Sequence, residues 1–411
     1  MIWLPPFFLG LILAVWLYWS ISQAHAATFR RQLDPAEWRD GDAQVPGVAL
    51  ICPGRNEAEQ LPRTLPTLVE QDHANLQVIF VDDASEDATP AITAELAARD
   101  PRLLVVRNEE HPPAGWVGKC WAVAKGYEAL KAIDAARLSG QRQEARAYSW
   151  VCFTDADIDW EPACLRSAVR YAVEHDADMV ALFPQLEFGS AGERLVQSAV
   201  FLGFFLLFPF DKAMDPAHPD VALTGGAFML IRRDWYDRVG GHESVRGFVV
   251  EDLNLGRTLK RAGARLHTLL APKLIRCRMY DGWADMWEGF TKNVYAGVEY
   301  SPLRFAAFVA GVSALFVLPP VYVVASLAWV TASGTAPAWA SLGLSVAIAA
   351  AQVRIMNRMR RHLKLRPWYA WLLPVGAFLS LVIAFASVGR YYWGGSVWKG
   401  RRYGKAGVQA F

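Results

Sequence analysis

Val48–Glu57 reads VALICPGRNE: an apolar run is followed directly by a polar turn that begins with proline and glycine. The same arrangement returns at Leu76–Asp83 (LQVIFVDD) and at Trp150–Asp157 (WVCFTDAD), where each apolar run ends in acidic residues. Short apolar runs bounded by turn signals are typical of strands buried on both faces of a parallel sheet. Because ligands bind beyond the carboxyl ends of such strands, the three polar turns predict one shared site.

Two further apolar runs, Leu103–Val106 and Met179–Leu182, continue this pattern. Amphipathic stretches that we predict as helices separate the runs: Ala58–Glu70, Thr89–Arg99, Cys120–Ala136 and Cys164–Glu174. Short strands that alternate with helices of this length indicate βαβ units. We therefore predict an α/β domain with a Rossmann-like, mostly parallel sheet over about residues 45–300.

The turn Thr154-Asp155-Ala156-Asp157 offers two carboxylates two residues apart. If the chain stays extended there, both side chains can point into one crevice. Carboxylate oxygens are hard ligands that suit Mg²⁺ or Mn²⁺, ions that also bind substrate phosphates. The alternative is that the aspartates cap a helix that begins near Pro162.

Asp82 and Asp83 form a second acidic pair at a strand end. A carboxylate at this place can accept hydrogen bonds from the imide N–H of a base and from ribose hydroxyls. The alternative is a helix cap through Ser85 or Asp87. The glycine-rich turn of dinucleotide-binding enzymes is absent after the first strand, and so is the GxxxxGK[ST] phosphate loop.

The ends of the chain are much more apolar than its middle. Hydrophobic residues make up 53% of the 411 residues and charged residues only 20%, which is too apolar for an ordinary soluble enzyme. Ile2–Ile21 is uncharged and has the length of about 20 residues that a bilayer requires. No Lys or Arg precedes it, as one would in a cleaved signal peptide. We predict an uncleaved anchor over residues 1–24.

Three more apolar runs lie in the C-terminal part, at Phe305–Val330, Trp339–Val353 and Trp368–Val388. We predict transmembrane helices within residues 303–390 and a basic tail over residues 391–411. Five cysteines at irregular spacing without a CxxC pair argue against a disulfide framework or a zinc site, and favour a reduced compartment. The net charge of +2 gives no reason to expect nucleic acid as a partner.

Basic residues set the predicted orientation. Arg30 and Arg31 follow the anchor, and we predict a cytoplasmic loop at Arg354–Arg366, between the last two apolar runs. The middle of the chain would then lie in the cytoplasm at the inner membrane. Simple alternation would then place the basic tail outside. Either Trp368–Val388 is a re-entrant hairpin broken at Pro374-Val375-Gly376, or the number of spans differs by one.

Several motifs occur together in a fixed order: PGRNE at 53–57, VDDASEDAT at 81–89, Gly118-Lys119, TDAD at 154–157, Thr224-Gly225-Gly226 and Val250-Glu251-Asp252. This ordered set resembles family 2 glycosyltransferases of the GT-A fold, over about residues 45–300. Within that family the chain looks most like the membrane-anchored hopanoid-associated and carotenoid-type glycosyltransferases. The narrower likeness rests on Pro113–Lys119, on Lys292-Asn293 and on the tail segment Trp398–Tyr403.

The resemblance implies a role for each matching residue. Asp252 would be the general base, although acids are also favoured at the start of a helix such as the one expected here. Asp157 would be the more direct metal ligand, with Asp155 beside it and close to the donor. The other implied donor contacts are Pro53, Arg55 and Glu57 at the nucleotide, Asp82 and Asp83 at the base, and Lys119 at the ribose or diphosphate.

The QxxRW motif of processive polysaccharide synthases is missing, so we expect the transfer of a single sugar. Lys292 would assist the diphosphate or be a solvated helix lysine, and His242 would contact a substrate or be structural. Leu195–Phe210 and Trp283–Phe290 are rich in aromatic residues, and we interpret them as interfacial helices rather than ordinary core. A lipid acceptor follows from that interpretation and from the anchors.

The sequence therefore predicts a metal-dependent, membrane-bound inverting glycosyltransferase that uses Mn²⁺ or Mg²⁺. We expect it to transfer one sugar from a nucleotide-sugar donor, with a UDP-sugar expected first, to a lipid acceptor of hopanoid or carotenoid type. One alternative is a polyprenyl-phosphate sugar synthase, whose anionic acceptor needs no general base. The other is a catalytically silent GT-A membrane protein that binds or scaffolds, against which the intact acidic motifs argue.

Overall fold

The computed structural model describes residues 3–25, 32–38, 46–138, 148–208, 210–393, 396–398 and 401–403. The chain divides into two compact units. The sheet unit comprises Thr28–Glu187, Phe210–Met279 and Val397–Phe411, and the helical unit comprises Met1–Ala27, Phe188–Pro209 and Tyr280–Ser396. The domain boundaries expected from the sequence, at 1–24, 45–300, 303–390 and 391–411, stay a prediction.

The sheet unit is built on a seven-stranded sheet within the described residues, in the order β3-β2-β1-β4-β8-β6-β9. Its strands are β1 (Val48–Gly54), β2 (Leu76–Asp83), β3 (Leu103–Asn108), β4 (Trp150–Phe153), β6 (Met179–Phe183), β8 (Met229–Arg232) and β9 (Leu266–Leu270). β8 runs antiparallel to both neighbours, and the other neighbouring strands pair in parallel. The predicted α/β class with a mostly parallel sheet is confirmed.

The helices of the sheet unit are α2 (Leu61–Val69), α3 (Thr89–Arg99), α4 (Gly118–Leu138), α5 (Cys164–Glu174), α7 (Phe210–Ala213), α8 (Arg233–Arg238) and α9 (Glu251–Arg261). The four helices predicted from amphipathic stretches are all present. α2 begins three residues later than predicted, and Pro62 falls in its first turn, where the missing N–H is tolerated. α4 begins two residues earlier than predicted, at Gly118.

A second, three-stranded sheet has the order β5-β10-β7, with β5 at Ile158–Trp160, β7 at Gln185–Leu186 and β10 at Ile275–Cys277. These strands have two or three residues each, too few for a readable alternation of apolar and polar positions. A two-stranded sheet pairs β11 (Ser396–Trp398) with β12 (Arg401–Tyr403). The tail residues Lys399 and Lys405 lie outside the described residues, as do Arg30 and Arg31.

The central strand β1 is buried throughout Val48–Cys52, as expected for a strand with helices on both faces of its sheet. α4 packs on one face at Gly126. A Cβ atom at Gly126 would lie 2.7 Å from Ile51 Cγ2 and 2.8 Å from Val81 Cγ2. Glycine therefore lets α4, whose first turn carries Lys119, lie close against β1 and β2.

The helical unit contains α1 (Leu4–His25), α6 (Ala191–Leu207), α10 (Trp283–Gly297), α11 (Pro302–Val312), α12 (Pro319–Ser333), α13 (Ala336–His362) and α14 (Leu373–Trp393). Among the described residues, Leu4–Ser22, α13 and α14 are long and apolar enough to cross a membrane. A fourth span arises if α10 counts with Pro302–Val317, a pair bent by 116°. Apolar helices near both ends of the chain are therefore confirmed.

The apolar run Phe305–Val330 does not form one continuous helix. α11 continues into a π-helical turn at Ser313–Val317, and α12 starts anew at Pro319. The cause is Pro320, which has no N–H to donate to the carbonyl of Phe316. The buried side chain of Gln352 on α13 donates to that carbonyl instead, at 2.8 Å.

Two other expectations for the C-terminal part need correction. α13 extends to His362, so most of Arg354–Arg366 is helical rather than a loop. α14 runs unbroken from Leu373 to Trp393, so the re-entrant break at Pro374-Val375-Gly376 is wrong. Pro374 lies in the first turn, where proline needs no donor. Gly376 lets α14 pack closely on α6, since a Cβ there would lie 2.2 Å from the Leu195 carbonyl oxygen.

We predict that Gly126→Val destabilises the sheet unit, because its side chain would overlap Ile51 and Val81. Overpacking of this kind costs about 1–3 kcal/mol, so the melting temperature of the detergent-solubilised protein should fall by several degrees in a tryptophan-fluorescence scan. Ala132→Val, at an exposed position of the same helix, is the matched control and should melt near the wild type. Equal melting temperatures for the two variants would contradict the close packing of α4.

Candidate active site

The predicted site residues follow three neighbouring strands. β2, β1 and β4 lie side by side and run in parallel, so their carboxyl ends share one edge of the sheet. Arg55 and Glu57 lie in the turn after β1, Asp82 and Asp83 are the last two residues of β2, and Asp155 and Asp157 lie in the turn after β4. The structure therefore brings the three acidic or polar turns together at one edge, as parallel strands require.

Arg55 holds the turn that follows β2. One guanidinium nitrogen donates to the carbonyl oxygens of Asp83 at 2.8 Å and Ala84 at 2.5 Å, and the other pairs with the Glu86 carboxylate at 2.9 Å. Ala84 has a φ of 55°, in the left-handed region that non-glycine residues seldom adopt. Arg55 thus holds the backbone of the turn after β2, which borders the predicted nucleotide pocket.

Both acids of the second pair are buried and held. Asp82 accepts a hydrogen bond from the backbone N–H of Ser85 at 3.0 Å. Asp83 accepts one from the side-chain amide of Asn108 at 2.8 Å, and Asn108 is its direct partner in the β2–β3 register. Asn108 had no role in the sequence analysis, because only the strand register shows that it faces Asp83.

The alternative of a helix cap after Asp82 and Asp83 holds for Asp87. The Asp87 carboxylate accepts hydrogen bonds from the backbone N–H groups of Thr89 at 2.9 Å and Ala58 at 3.0 Å. Asp87 therefore stabilises the start of α3 and ties it to the turn after β1. Pro53 lies within β1 and is half-buried, and the backbone N–H of Glu57 donates to the Thr89 hydroxyl at 2.8 Å.

Asp155 and Asp157 follow β4 and precede β5. The backbone N–H of Asp155 donates to the Gly226 carbonyl at 2.9 Å. One oxygen of Asp157 is buried without a hydrogen-bond partner, and the other lies 3.8 Å from the Cys277 thiol. Burial, together with the charges of Asp155 and Glu57, raises the pKa of Asp157 to about 7. α5 begins at Cys164 without a side-chain cap, so neither aspartate caps it.

These residues fit a divalent cation that is shared with a ligand. A buried carboxylate oxygen without a partner is costly, and a cation beside it would remove that cost. Within the described part of the chain, no group of three or more His, Cys, Asp or Glu could hold a metal ion. Two carboxylates with oxygen atoms of a bound phosphate match the way Mg²⁺ is held in phosphate-binding sites.

Lys119 links the two acidic motifs. Its ammonium group lies 2.5 Å from an oxygen of Asp155 and 2.8 Å from an oxygen of Glu251. Burial alone would lower the pKa of Lys119, but the negative charges of Asp155, Glu251 and Asp252 raise it well above its usual range. Lys119 is therefore a fixed positive charge between the end of β4 and the start of α9.

Glu251 and Asp252 begin α9 and have different surroundings. Glu251 is buried and paired with Lys119, whereas Asp252 is half-buried and forms no salt bridge within the described residues. The Asp252 carboxylate accepts a hydrogen bond from the backbone N–H of Leu253 at 2.7 Å. Burial and the neighbouring Glu251 raise the pKa of Asp252 to about 7, near the value that suits a general base.

Thr224-Gly225-Gly226 joins both motifs, a role that the sequence analysis did not assign. The Thr224 hydroxyl donates to the Asp252 carbonyl at 2.8 Å, and the Gly226 carbonyl accepts from Asp155. A Cβ atom at Gly226 would lie 2.3 Å from an Asp155 carboxylate oxygen and 2.8 Å from the Lys119 ammonium nitrogen. The motif Thr224-Gly225-Gly226 could be recognised in the sequence, but the sequence does not show how closely Gly226 approaches Asp155 and Lys119.

The sequence analysis left two possible roles each for His242 and Lys292. His242 is buried, packs on Phe153, and its Nδ1 lies 2.9 Å from the Tyr236 hydroxyl, which also accepts from the His242 backbone N–H. Burial lowers the pKa of His242 to about 3, so the ring is neutral and the surroundings favour a structural role. Lys292 is half-buried on α10 of the helical unit.

Comparison with known proteins agrees with the motifs. Residues 50–240 match the family model described as glycosyl transferase family 2. The 4,4'-diaponeurosporenoate glycosyltransferase of Staphylococcus haemolyticus is 23% identical over 266 residues, 64% of this chain and 64% of that protein. The putative teichuronic acid biosynthesis glycosyltransferase TuaG of Bacillus subtilis is 29% identical over 129 residues, 31% of this chain and 43% of that protein.

This chain thus spans about two thirds or less of the length of these two relatives. A solved mannosyltransferase from Pyrobaculum calidifontis, in complex with GDP-Man and Mn²⁺, is 19% identical with a TM-score of 0.49 over 93% of this chain and 99% of that chain. The family match and the ordered motifs point the same way. Residues 50–240 match family 2 glycosyltransferases, and the resemblance inferred from the sequence is confirmed.

Proposed function

We propose that the protein is a membrane-bound inverting glycosyltransferase that moves one sugar from a nucleotide-sugar donor to a lipid hydroxyl. The observation that carries this proposal is the row formed by Asp155, Lys119 and Glu251, with Asp252 at its end. The Lys119 ammonium pairs with two of the carboxylates, while Asp252 has a raised pKa and no salt-bridge partner in the described structure. An unpaired carboxylate of this kind is suited to take a proton.

The donor would bind along the edge where the three strands end. Asp82 and Asp83 would face the base, and a UDP-sugar is the expected first choice. Asp155 and Asp157 would hold Mn²⁺ or Mg²⁺ together with the donor diphosphate. When bound, the ion would neutralise part of the charge that the departing diphosphate gains. Lys119 adds a fixed positive charge next to Asp155.

The transfer needs one proton acceptor. The acceptor oxygen attacks the anomeric carbon, its proton passes to the carboxylate of Asp252, and the bond to the diphosphate breaks with its electron pair on the leaving oxygen. Attack from the side opposite the leaving group inverts the anomeric centre. Burial and the neighbouring Glu251, which pairs with Lys119, raise the pKa of Asp252 and with it the proton affinity of this carboxylate.

The acceptor is proposed to be a lipid. Three helices long and apolar enough to cross a membrane, and the apolar helix α6 with its Phe201, Phe204 and Phe205, support a membrane location. The Staphylococcus haemolyticus relative is named for a carotenoid-type acceptor, 4,4'-diaponeurosporenoate. That name denotes a carboxylate, so an anionic acceptor, such as a carboxylate or a polyprenyl phosphate, is the second candidate.

We predict that Asp157→Asn weakens the binding of Mn²⁺ in the presence of UDP. Loss of an outer partner of a metal site already costs about 10- to 100-fold in affinity, so loss of a ligand should cost more. The measurement is isothermal titration of Mn²⁺ into the detergent-purified protein with UDP. The control is Glu161→Gln, which removes a nearby half-exposed carboxylate that pairs with Arg276 at 2.6 Å. Equal affinity in both variants would remove Asp157 from the metal site.

We predict that Asp252→Asn lowers kcat by about 10²- to 10⁴-fold, the usual contribution of a positioned general base, while donor binding stays near that of the wild type. Asparagine keeps the size of the side chain but takes no proton at neutral pH. The assay is transfer of radiolabelled sugar from a donor panel to lipid extract, with nucleotide binding measured by calorimetry. Asp234→Asn, which removes an exposed acid from the first turn of α8, is the control.

The pH profile adds a second readout for Asp252. The base acts only when unprotonated, so kcat of the wild type should rise from about pH 6 to about pH 8 and then level off. This rise should be absent in Asp252→Asn. Transfer at the wild-type rate in the variant would favour the anionic acceptor, and loss of nucleotide binding would place Asp252 at the diphosphate instead.

We predict that Gly226→Ala disrupts the site although it adds only a methyl group. The new Cβ atom would displace Asp155 or Lys119, and a misplacement of about 1 Å can cost roughly 100-fold in rate. Gly225→Ala is the matched control, because its Cβ would meet the Phe183 ring at an ordinary 3.7 Å. If both variants keep wild-type kcat/KM, the close approach at Gly226 has no role in the reaction.

A further inference from the structure

A group of six basic residues covers the C-terminal end of α13 and the start of the turn that leads to α14. We call it the basic collar, and it consists of Arg354, Arg358, Arg360, Arg361, Lys364 and Arg366. After Glu299 the sequence contains no Asp or Glu at all, up to Phe411. Six positive charges are therefore placed within 13 positions, and no acidic residue follows or precedes them nearby in the chain.

The cations of the basic collar are mostly exposed and form no salt bridges within the described residues. Arg354, Arg361, Lys364 and Arg366 are exposed, and the other two members are half-buried. Across the described residues, none of the six takes part in a salt bridge. Arg360 donates only to the neutral Asn357 side chain, at 2.6 Å, and at longer range to the Leu365 carbonyl. The charge of the collar is therefore available to an anionic partner.

Two exposed indole rings accompany the collar. Trp368 is 51% exposed and Trp371 is 71% exposed, in and just after a short 3₁₀ helix at Pro367–Ala370. The Arg366 guanidinium lies over the Trp368 ring, 5.1 Å from its centre. Tryptophan is enriched where membrane helices leave the hydrocarbon for the headgroup layer. The basic end of α13 thus leads directly into the turn that carries the last two cations and both indoles.

The position of this turn selects the kind of anion. It joins α13 to α14, two helices of 27 and 21 residues that are each long and apolar enough to cross a membrane. A turn between two such helices lies at the depth of the headgroups, where clusters of Lys and Arg attract anionic lipids. The cations alone could bind a soluble anion, but such an anion would gain no contact from the exposed indole rings beside them.

We propose that the basic collar, with Trp368 and Trp371, is a binding site for the headgroups of anionic phospholipids in the bilayer. The cations contact the lipid phosphates, and the indoles lie among the glycerol and ester groups. The charge is the source of the preference, because zwitterionic lipids offer the same apolar chains without a net negative charge. The proposal rests on the helical unit alone and does not depend on the glycosyltransferase reaction.

The test uses the full chain purified in detergent. Phosphatidylglycerol and phosphatidylcholine with identical acyl chains are titrated separately, and the bound lipids are counted by native mass spectrometry. The wild type should bind phosphatidylglycerol about 10-fold more tightly or better, since each surface cation contributes about a five-fold preference. The preference should shrink as ionic strength rises, because salt screens exposed charges.

The variant Arg358→Gln with Arg361→Gln and Lys364→Gln should lose this preference. The matched control removes three exposed cations that already have carboxylate partners in the sheet unit, through Arg99→Gln, Arg261→Gln and Lys273→Gln. The control should keep the wild-type preference. As a check on folding, Arg358→Lys with Arg361→Lys retains the charge and should also keep it.

Several outcomes would overturn the proposal. These are equal binding of the two lipids by the wild type, a preference that does not change with salt, or a preference that survives in the triple collar variant. Glycerol 3-phosphate serves as the soluble competitor. Displacement of phosphatidylglycerol by glycerol 3-phosphate at a similar concentration would show a site for free phosphate instead of a lipid site.

Discussion

Three carboxylates come together at the site: Asp155 after the end of β4, and Glu251 and Asp252 at the start of α9. Because they carry like charges in a half-buried place, they repel each other. The ammonium group of Lys119 reduces this repulsion, because it lies within 2.8 Å of both Asp155 and Glu251. A buried pair of this kind is costly to break, since removal of one partner leaves an uncompensated charge. The other parts of the site are arranged around this one cation.

The position of Lys119 depends on the packing of α4. Gly126 lets the helix lie close to Ile51 and Val81, and near its other end Asp134 pairs with the buried Arg233, which also donates to Tyr127. The first turn of α4 then points its lysine at the acidic residues, while Gly226 leaves room for both partners. A helix held at its middle and its end by non-catalytic contacts thus sets a distance at the site, which is how rigid elements preorganise charged groups.

Much of this arrangement could be predicted from the sequence, for a physical reason. Buried parallel strands are apolar throughout, so β1, β2 and β4 could be read directly, and the polar residues that follow them had to share one edge. The partner of each acid could not be read in this way. Asn108 faces Asp83 because of strand register, and Lys119 meets Glu251 across a gap of more than a hundred residues. Pro319-Pro320 lies within the apolar run Phe305–Val330, but the sequence does not show that the side chain of Gln352 replaces the donor that Pro320 lacks at the Phe316 carbonyl.

The same pairing explains why two adjacent acids would have different tasks. Glu251 and Asp252 are neighbours at a helix start, where the backbone N–H groups favour negative charge for both. Lys119 forms a salt bridge with Glu251 and none with Asp252 within the described residues, and its positive charge offsets only part of the effect of burial and of Glu251, which raise the pKa of Asp252 to about 7. One acid of this pair thus holds a salt bridge, while the other has the raised pKa that suits a proton acceptor, and the difference between them depends on a lysine from a different helix.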